Sequence, residues 1–198
     1  IAHSNADSEE AQRGIDCGFS HVTHFYNAVT TYHKEGQTVY GGIVEAAYLN
    51  SGVTVELICD GKHIPRDILR LALKIKGVNS VAAITDAMRL SGTDMRQGKL
   101  GSLANGTNVI ADDGVAKLPD MSSFAGSVAT MDRCLKVLCL DYGISLTDVS
   151  VMLSGTPARL LRLGSTKGRI QNGMDADMVL VNREMAVTGV ISNGKVVK

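Results

Sequence analysis

Short apolar runs that break off at a polar tip recur along the first half of the chain. Residues 81–85 are apolar up to Thr85 and then give way to Asp86-Ala87-Met88. This pattern predicts a buried strand with a carboxylate at its C-terminal end. Residues 53–59 form a second such run, followed by Asp60-Gly61-Lys62-His63. Residues 21–28 form a β-rich run with His24 inside it, and Ile1-Ala2-His3 is an apolar stub ending in histidine. Strict alternation over 21–28 would put His24 on one face with Val22 and Tyr26, and His21 on the other with Thr23 and Phe25.

Helical patterns separate these runs. Asp7-Ser8-Glu9-Glu10 has the spacing of a capping box, and Gly18 is placed to stop that helix. A glycine-containing loop over 30–42 leads to a short helix near Ile43. Pro65 stands as a first helical residue, with Ile68, Leu71, Ala72 and Ile75 on one face and Gly77 at the end. Strands alternating with helices of this length predict βαβ units and a parallel sheet.

Beyond Asp86 the pattern changes. Residues 98–118 read as a β-hairpin insertion, with turn signals at Asn105-Gly106 and Asp112-Asp113-Gly114. The clearest helical stripe is Met131, Cys134, Leu135, Leu138, Cys139 and Tyr142, ended by Gly143, with Ser127 as a possible N-cap. Further helices are expected from about Thr147 and from Pro157 to Leu163. The tail, residues 166–198, is β-rich with turns at Asn172-Gly173 and Asn193-Gly194, and reads as a small sheet or β-sandwich segment. The expected architecture is α/β. Residues 1–165 would form part of a (β/α)8 barrel, and 166–198 a small β segment. Four barrel-type strands do not close an eight-stranded barrel. Either the chain is the second half of a longer barrel or the architecture is a different one.

Charge excludes some functions. Acidic and basic residues balance at 20 each, which leaves no basic stripe for nucleic acid. No apolar run approaches membrane-spanning length. Cys17, Cys59, Cys134 and Cys139 show no C-x-x-C spacing, so they read as reduced core thiols of a cytoplasmic protein.

The strand tips carry the candidate chemistry. His3 and His24 are metal-ligand candidates if parallel strands bring their tips together, since neutral imidazole suits zinc or iron. The alternative is a pair of hydrogen-bonded histidines at strand ends, and His21 is the weaker candidate. Asp86 could act as a general base toward an attacking water, or could close an Asx turn. His63 could contact substrate or face solvent. Asn27-Ala28 could present an amide and backbone N–H groups to an anion.

Taken in order, these segments resemble the N-acetylglucosamine-6-phosphate deacetylase family of the amidohydrolase superfamily. The matching motifs are Ala2-His3-Ser4-Asn5-Ala6, Thr23-His24-x-x-Asn27-Ala28, Asp60-Gly61-x-His63, Thr85-Asp86-Ala87-Met88, Ala125-Gly126-Ser127 and Thr156-Pro157-Ala158-Arg159. The tail motif Gly168-Arg169-Ile170…Gly173-Met174-Asp175-Ala176-Asp177 continues the register. Each motif is weak alone, and the colinear set is specific.

The resemblance implies barrel strands five to eight. It implies metal ligation by His3 and His24, acid–base catalysis by Asp86, sugar contact by His63 and phosphate-side contact by Asn27 and Ala28. The implied reaction is metal-assisted hydrolysis of the N-acetyl amide of an amino-sugar phosphate, with zinc or iron as the divalent ion. Two departures qualify it. The family's third ligand is a glutamate in an N-terminal half outside this sequence, so the implied partner is that half or a second copy of the chain. Where the family carries His-Arg-Glu-Pro-Gly, this chain has His33-Lys34-Glu35-Gly36-Gln37, and Lys34 lacks the guanidinium fork. A dihydroorotase-like or deaminase-like amidohydrolase, and a non-catalytic half-barrel, are the competing readings.

Overall fold

The computed structural model describes residues 1–198. Helix α1 (Ser8–Asp16) starts as its capping box requires: the Asp7 carboxylate accepts from Glu10 N–H and the Glu10 carboxylate from Asp7 N–H. Strand β1 is short (His21–Val22). The loop expected over 30–42 contains a hairpin, β2 (His33–Glu35) and β3 (Thr38–Tyr40). Then follow α2 (Ile43–Leu49), β4 (Thr54–Ile58), α3 (Arg66–Lys76) and β5 (Val81–Ile84).

The parallel sheet has three strands in the order β1-β4-β5, one fewer than the sequence pattern suggests. Residues 1–6 form no strand. Ile1 does run beside β1, its N-terminus donating to His21 C=O (2.6 Å) and its C=O accepting from Thr23 N–H (3.1 Å). A single parallel bridge, Ser4 to Val29, follows. The run 21–28 also departs from expectation. Its strand stops at Val22 because His24 and Tyr26 take left-handed backbone, with φ of 31° and 73°. The face alternation predicted for His24 and Tyr26 therefore does not hold.

Sheet register sorts the side chains. Val22, Val55 and Val81 align across the strands, as do Leu57 and Ala83, and all are buried in the main core with Phe25, Leu69, Leu138 and Met152. His21, Thr54 and Glu56 take the opposite face. On α3 the buried residues are Leu69 and Ala72, while Leu71 and Ile75 stay exposed, so the apolar stripe is rotated from the one expected. Pro65 is the N-cap of α3, and Gly77 ends it at φ 72°.

The expected hairpin over 98–118 covers three strands of a larger four-stranded antiparallel sheet: β6 (Gln97–Leu100), β7 (Thr107–Asp112), β8 (Val115–Lys117) and β9 (Phe124–Ser127). Met88, Leu90, Val109, Ala116 and Ala125 form its own small core. Ser127 is therefore a strand residue; Thr130 is the N-cap of the next helix, and Ser127 Oγ accepts from Ala129 N–H (2.9 Å).

Helix α4 (Met131–Lys136) runs on through a wide π turn, Val137–Asp141. Helices α5 (Leu146–Ser150) and α6 (Thr156–Leu160) are likewise joined by a π turn, Val151–Gly155. Helix α6 follows directly on that π turn, so it continues the helical run and Pro157 does not begin a separate helix.

The tail forms one antiparallel sheet: β10 (Met178–Val181), β11 (Val187–Ser192) and β12 (Lys195–Val196). Val179 and Leu180 are neighbours pointing to opposite faces, yet both are more than half exposed. The tail is thus a single sheet within this chain rather than a two-layer sandwich. Asn193 and Gly194, at φ 47° and 74°, make its tight turn. Cys59 and Cys134 are core thiols, and burial pushes Cys134 up to about 12. Cys17, expected in a core, is exposed. No helix is long and apolar enough to cross a membrane.

Candidate active site

Parallel strands put their C-terminal ends on one edge of a sheet. Here that edge carries His24 just past β1, Asp60 and His63 just past β4, and Asp86 just past β5. His3 joins them: its ring meets the His24 ring edge-on, with centroids 4.6 Å apart. Five of the ten non-glycine residues with positive φ sit here: His3, His24, Tyr26, Ala28 and Asp86. Such backbone is unfavourable by roughly 1–3 kcal/mol each and concentrates where the surroundings fix it for a purpose.

His24 is buried, and its Nδ1 lies 2.9 Å from Asn27 C=O. A carbonyl can only accept, so Nδ1–H is the donor and the neutral ring keeps a lone pair on Nε2. That is the orientation in which metal-ligating histidines are usually held. His3 is exposed beside it. The donor set fits a divalent ion such as zinc, with two imidazoles of the three protein ligands such a site needs. No group of three or more His, Cys, Asp and Glu side chains clusters to complete it within this chain.

Asp60 and His63 form a second unit. Asp60 Oδ2 accepts from His63 Nδ1–H (2.7 Å), and Oδ1 from the N–H groups of Lys62 (2.9 Å) and His63 (3.0 Å). The Asp60 side chain is fully buried and that of His63 nearly so. Burial alone would raise the Asp60 carboxyl, but the His63 ring and the two backbone donors outweigh it and hold it below its usual range. Phe124 packs edge-on against His63 at 4.9 Å. Beside Asp60 lies a cavity of about 420 Å³ lined by Lys62, Asp113, Thr130 and Arg133, with Lys62 Nζ bonded to Asp113 (2.7 Å).

Asp60→Ala should destabilise the fold by about 3 kcal/mol, because the nearly buried His63 ring and two backbone N–H groups lose their buried acceptor. The sign with pH follows from the lowered carboxyl: the stabilisation is present above about pH 4, the unfolded value, and is lost as pH falls through the folded value. Urea denaturation of both proteins between pH 6 and pH 3 checks this, and the gap should narrow toward the acid end.

Asp86 is exposed at φ 50°. Its carboxylate closes no Asx turn; the Thr85 hydroxyl takes that place, accepting from Ala87 N–H (3.3 Å). Asn27 is engaged within its own turn, its Nδ2 donating to Phe25 C=O (3.3 Å), and Ala28 C=O accepts from Ser4 N–H (3.1 Å). His33 belongs to the β2–β3 hairpin and stacks on Tyr40 at 5.6 Å. Sequence reasoning passed over Asp60 as the partner of His63, although Asp-x-x-His spacing signals it. Phe124 was hidden with the strand that carries it.

Known proteins resemble this chain along nearly its whole length. The N-acetylglucosamine-6-phosphate deacetylase of Lysinibacillus sphaericus is 31% identical over 196 residues, 99% of this chain and 48% of that protein. The crystal structure of the Pasteurella multocida N-acetylglucosamine-6-phosphate deacetylase matches with a TM-score of 0.88 at 27% identity, covering 98% of this chain and 49% of that one. A mutant of the Mycobacterium smegmatis deacetylase, in complex with N-acetyl-D-glucosamine-6-phosphate, matches with a TM-score of 0.86 at 28% identity, covering 99% and 50%. The chain therefore spans about half the length of the curated relatives it matches. The sequence pattern of the amidohydrolase family matches residues 1–197, and over that whole length this chain belongs to the amidohydrolase family.

Proposed function

We propose that this chain supplies the C-terminal half of a metal-dependent deacetylase that hydrolyses N-acetylglucosamine-6-phosphate to glucosamine-6-phosphate and acetate. The observation that carries this is the His3–His24 imidazole pair on the same sheet edge as Asp86 and the Asp60–His63 pair. His3 and His24 would hold one divalent ion, zinc or iron, with a further ligand from outside residues 1–198. When bound, the ion would polarise the amide carbonyl and lower the pKa of the attacking water.

Asp86 accepts a proton from that water as its oxygen bonds to the acetyl carbon. The C–N bond then breaks, and Asp86 returns the proton to the departing amine. His63, fixed through Nδ1 by Asp60, keeps Nε2 for a sugar hydroxyl. Asn27 and Ala28 lie on the phosphate side. Residues 1–165 would be barrel and 166–198 the small β segment of a cytoplasmic enzyme.

Joining this chain to the part of the Lysinibacillus sphaericus relative that it does not match gives a completed protein to assay. Acetate release from N-acetylglucosamine-6-phosphate with added zinc is expected from the completed protein, and none from the chain alone. A folded, metal-loaded completed protein that releases no acetate overturns the proposal.

A further inference from the structure

His24 is fastened on both sides by one residue of the neighbouring strand. The Thr23 hydroxyl donates to Glu56 Oε2, and Phe25 N–H donates to Glu56 C=O at 2.7 Å. Between these two anchors His24 takes its left-handed backbone. A left-handed non-glycine residue is disfavoured by about 1–2 kcal/mol, so something must hold it. Glu56 does so with its main chain and its side chain together.

The carboxylate is itself seated. Its Oε1 lies 3.2 Å from His21 Nε2, while His21 Nδ1 lies 2.8 Å from Thr54 Oγ1. Thr54 passes the chain on by donating to Ser20 C=O (3.1 Å). On β5 the residue opposite Glu56 is Ala82, too small to displace the carboxylate. His21 lies first among the groups that hold the Glu56 carboxyl below its usual range, with Thr23 and the His24 N–H also contributing. These residues share the sheet face turned away from the main core, and the His21 and Glu56 side chains are only about a third and a quarter exposed. An ordinary cross-strand pair here would only stabilise the sheet, by a fraction of a kcal/mol. It would not need to reach past the end of β1 to Thr23.

We propose that Glu56 is a positioning residue: seated by His21, it clamps Thr23 and Phe25 and so sets the left-handed turn that aims the His24 ring. The clamp rests on the reading of His24 as a metal ligand only for its purpose, and the two can be tested apart. Thr23→Val deletes one hydroxyl at constant shape, and Glu56→Leu removes the carboxylate. Glu56→Gln keeps an acceptor for Thr23 and serves as the rescue.

Amide hydrogen exchange of residues 24–28 in this chain reads the clamp. It should speed up about tenfold or more in the first two variants and stay near wild type in Glu56→Gln, with α3 and β4 protected throughout. Zinc affinity of the completed protein should fall about 10- to 100-fold in the same two variants, the range for lost outer-shell partners, and recover in Glu56→Gln. Unchanged exchange at 24–28, or acceleration spread evenly over the chain, overturns the clamp. Local acceleration with unchanged zinc affinity upholds the clamp and overturns His24 as a ligand.

Discussion

Asp86→Asn should lower turnover of the completed protein on the order of 10³-fold while leaving its stability and metal content unchanged. The rate loss follows from the role: an amide has the shape of the carboxylate but cannot take a proton from water and return it to the amine. The unchanged stability follows from the structure. Asp86 is exposed, no group bonds its carboxylate, and its φ of 50° is one that Asn adopts as readily as Asp. Asp86→Ala is a poorer probe, since alanine resists that backbone and would confound chemistry with strain. Steady-state acetate release, metal analysis and a urea melt on one preparation separate the effects. A loss of only a fewfold would show that Asp86 does not transfer the proton.

The parts of this fold legible in the sequence are those decided by local physics. The Asp7–Glu10 capping box, the Pro65 and Gly77 helix boundaries and the Asn193-Gly194 turn each follow from a few adjacent residues, and each is present. The apolar run over 53–59 is a strand as expected, with Val55 and Leu57 in the core. What was lost depended on distant partners. Strand β9 has no alternation of its own, since Phe124-Ala125-Gly126-Ser127 is strand only by pairing with β8. The break after Val22 is a tertiary effect: His24 and Tyr26 are left-handed because Glu56, some thirty residues on, holds their neighbours. The tips of the strands were legible as candidate sites, because a lone His or Asp closing an apolar run is conspicuous. Of their supports, Asp60 left only its Asp-x-x-His spacing, and Glu56 left no signal, because it reads in sequence as an ordinary polar residue.

The chain by itself should associate in solution, with a scattering mass above 21.0 kDa that rises with concentration. The three-stranded parallel sheet is the reason. Strand β1 has beside it only the stub around Ile1, and the far side of β5 is bridged only beyond its tip, by Ala87 to Ser127. All-parallel sheets are normally covered on both faces and closed or capped at their edges. The tail adds apolar surface, with Ile170 ahead of its sheet 86% and Val196 on β12 76% exposed, and Leu49 on α2 is 84% exposed. Patches of this kind on a soluble domain mark places where another surface belongs. Its natural cover would be the remainder of the fold that the relatives have and this chain does not match. Adding that portion of the Lysinibacillus sphaericus relative should therefore convert the assembly into a defined complex and suppress self-association. Light scattering from about 5 to 200 µM, with and without that portion, is the measurement. A constant monomer mass for the chain alone across the whole range would mean that its exposed edges are stable in water and that nothing further needs to cover them.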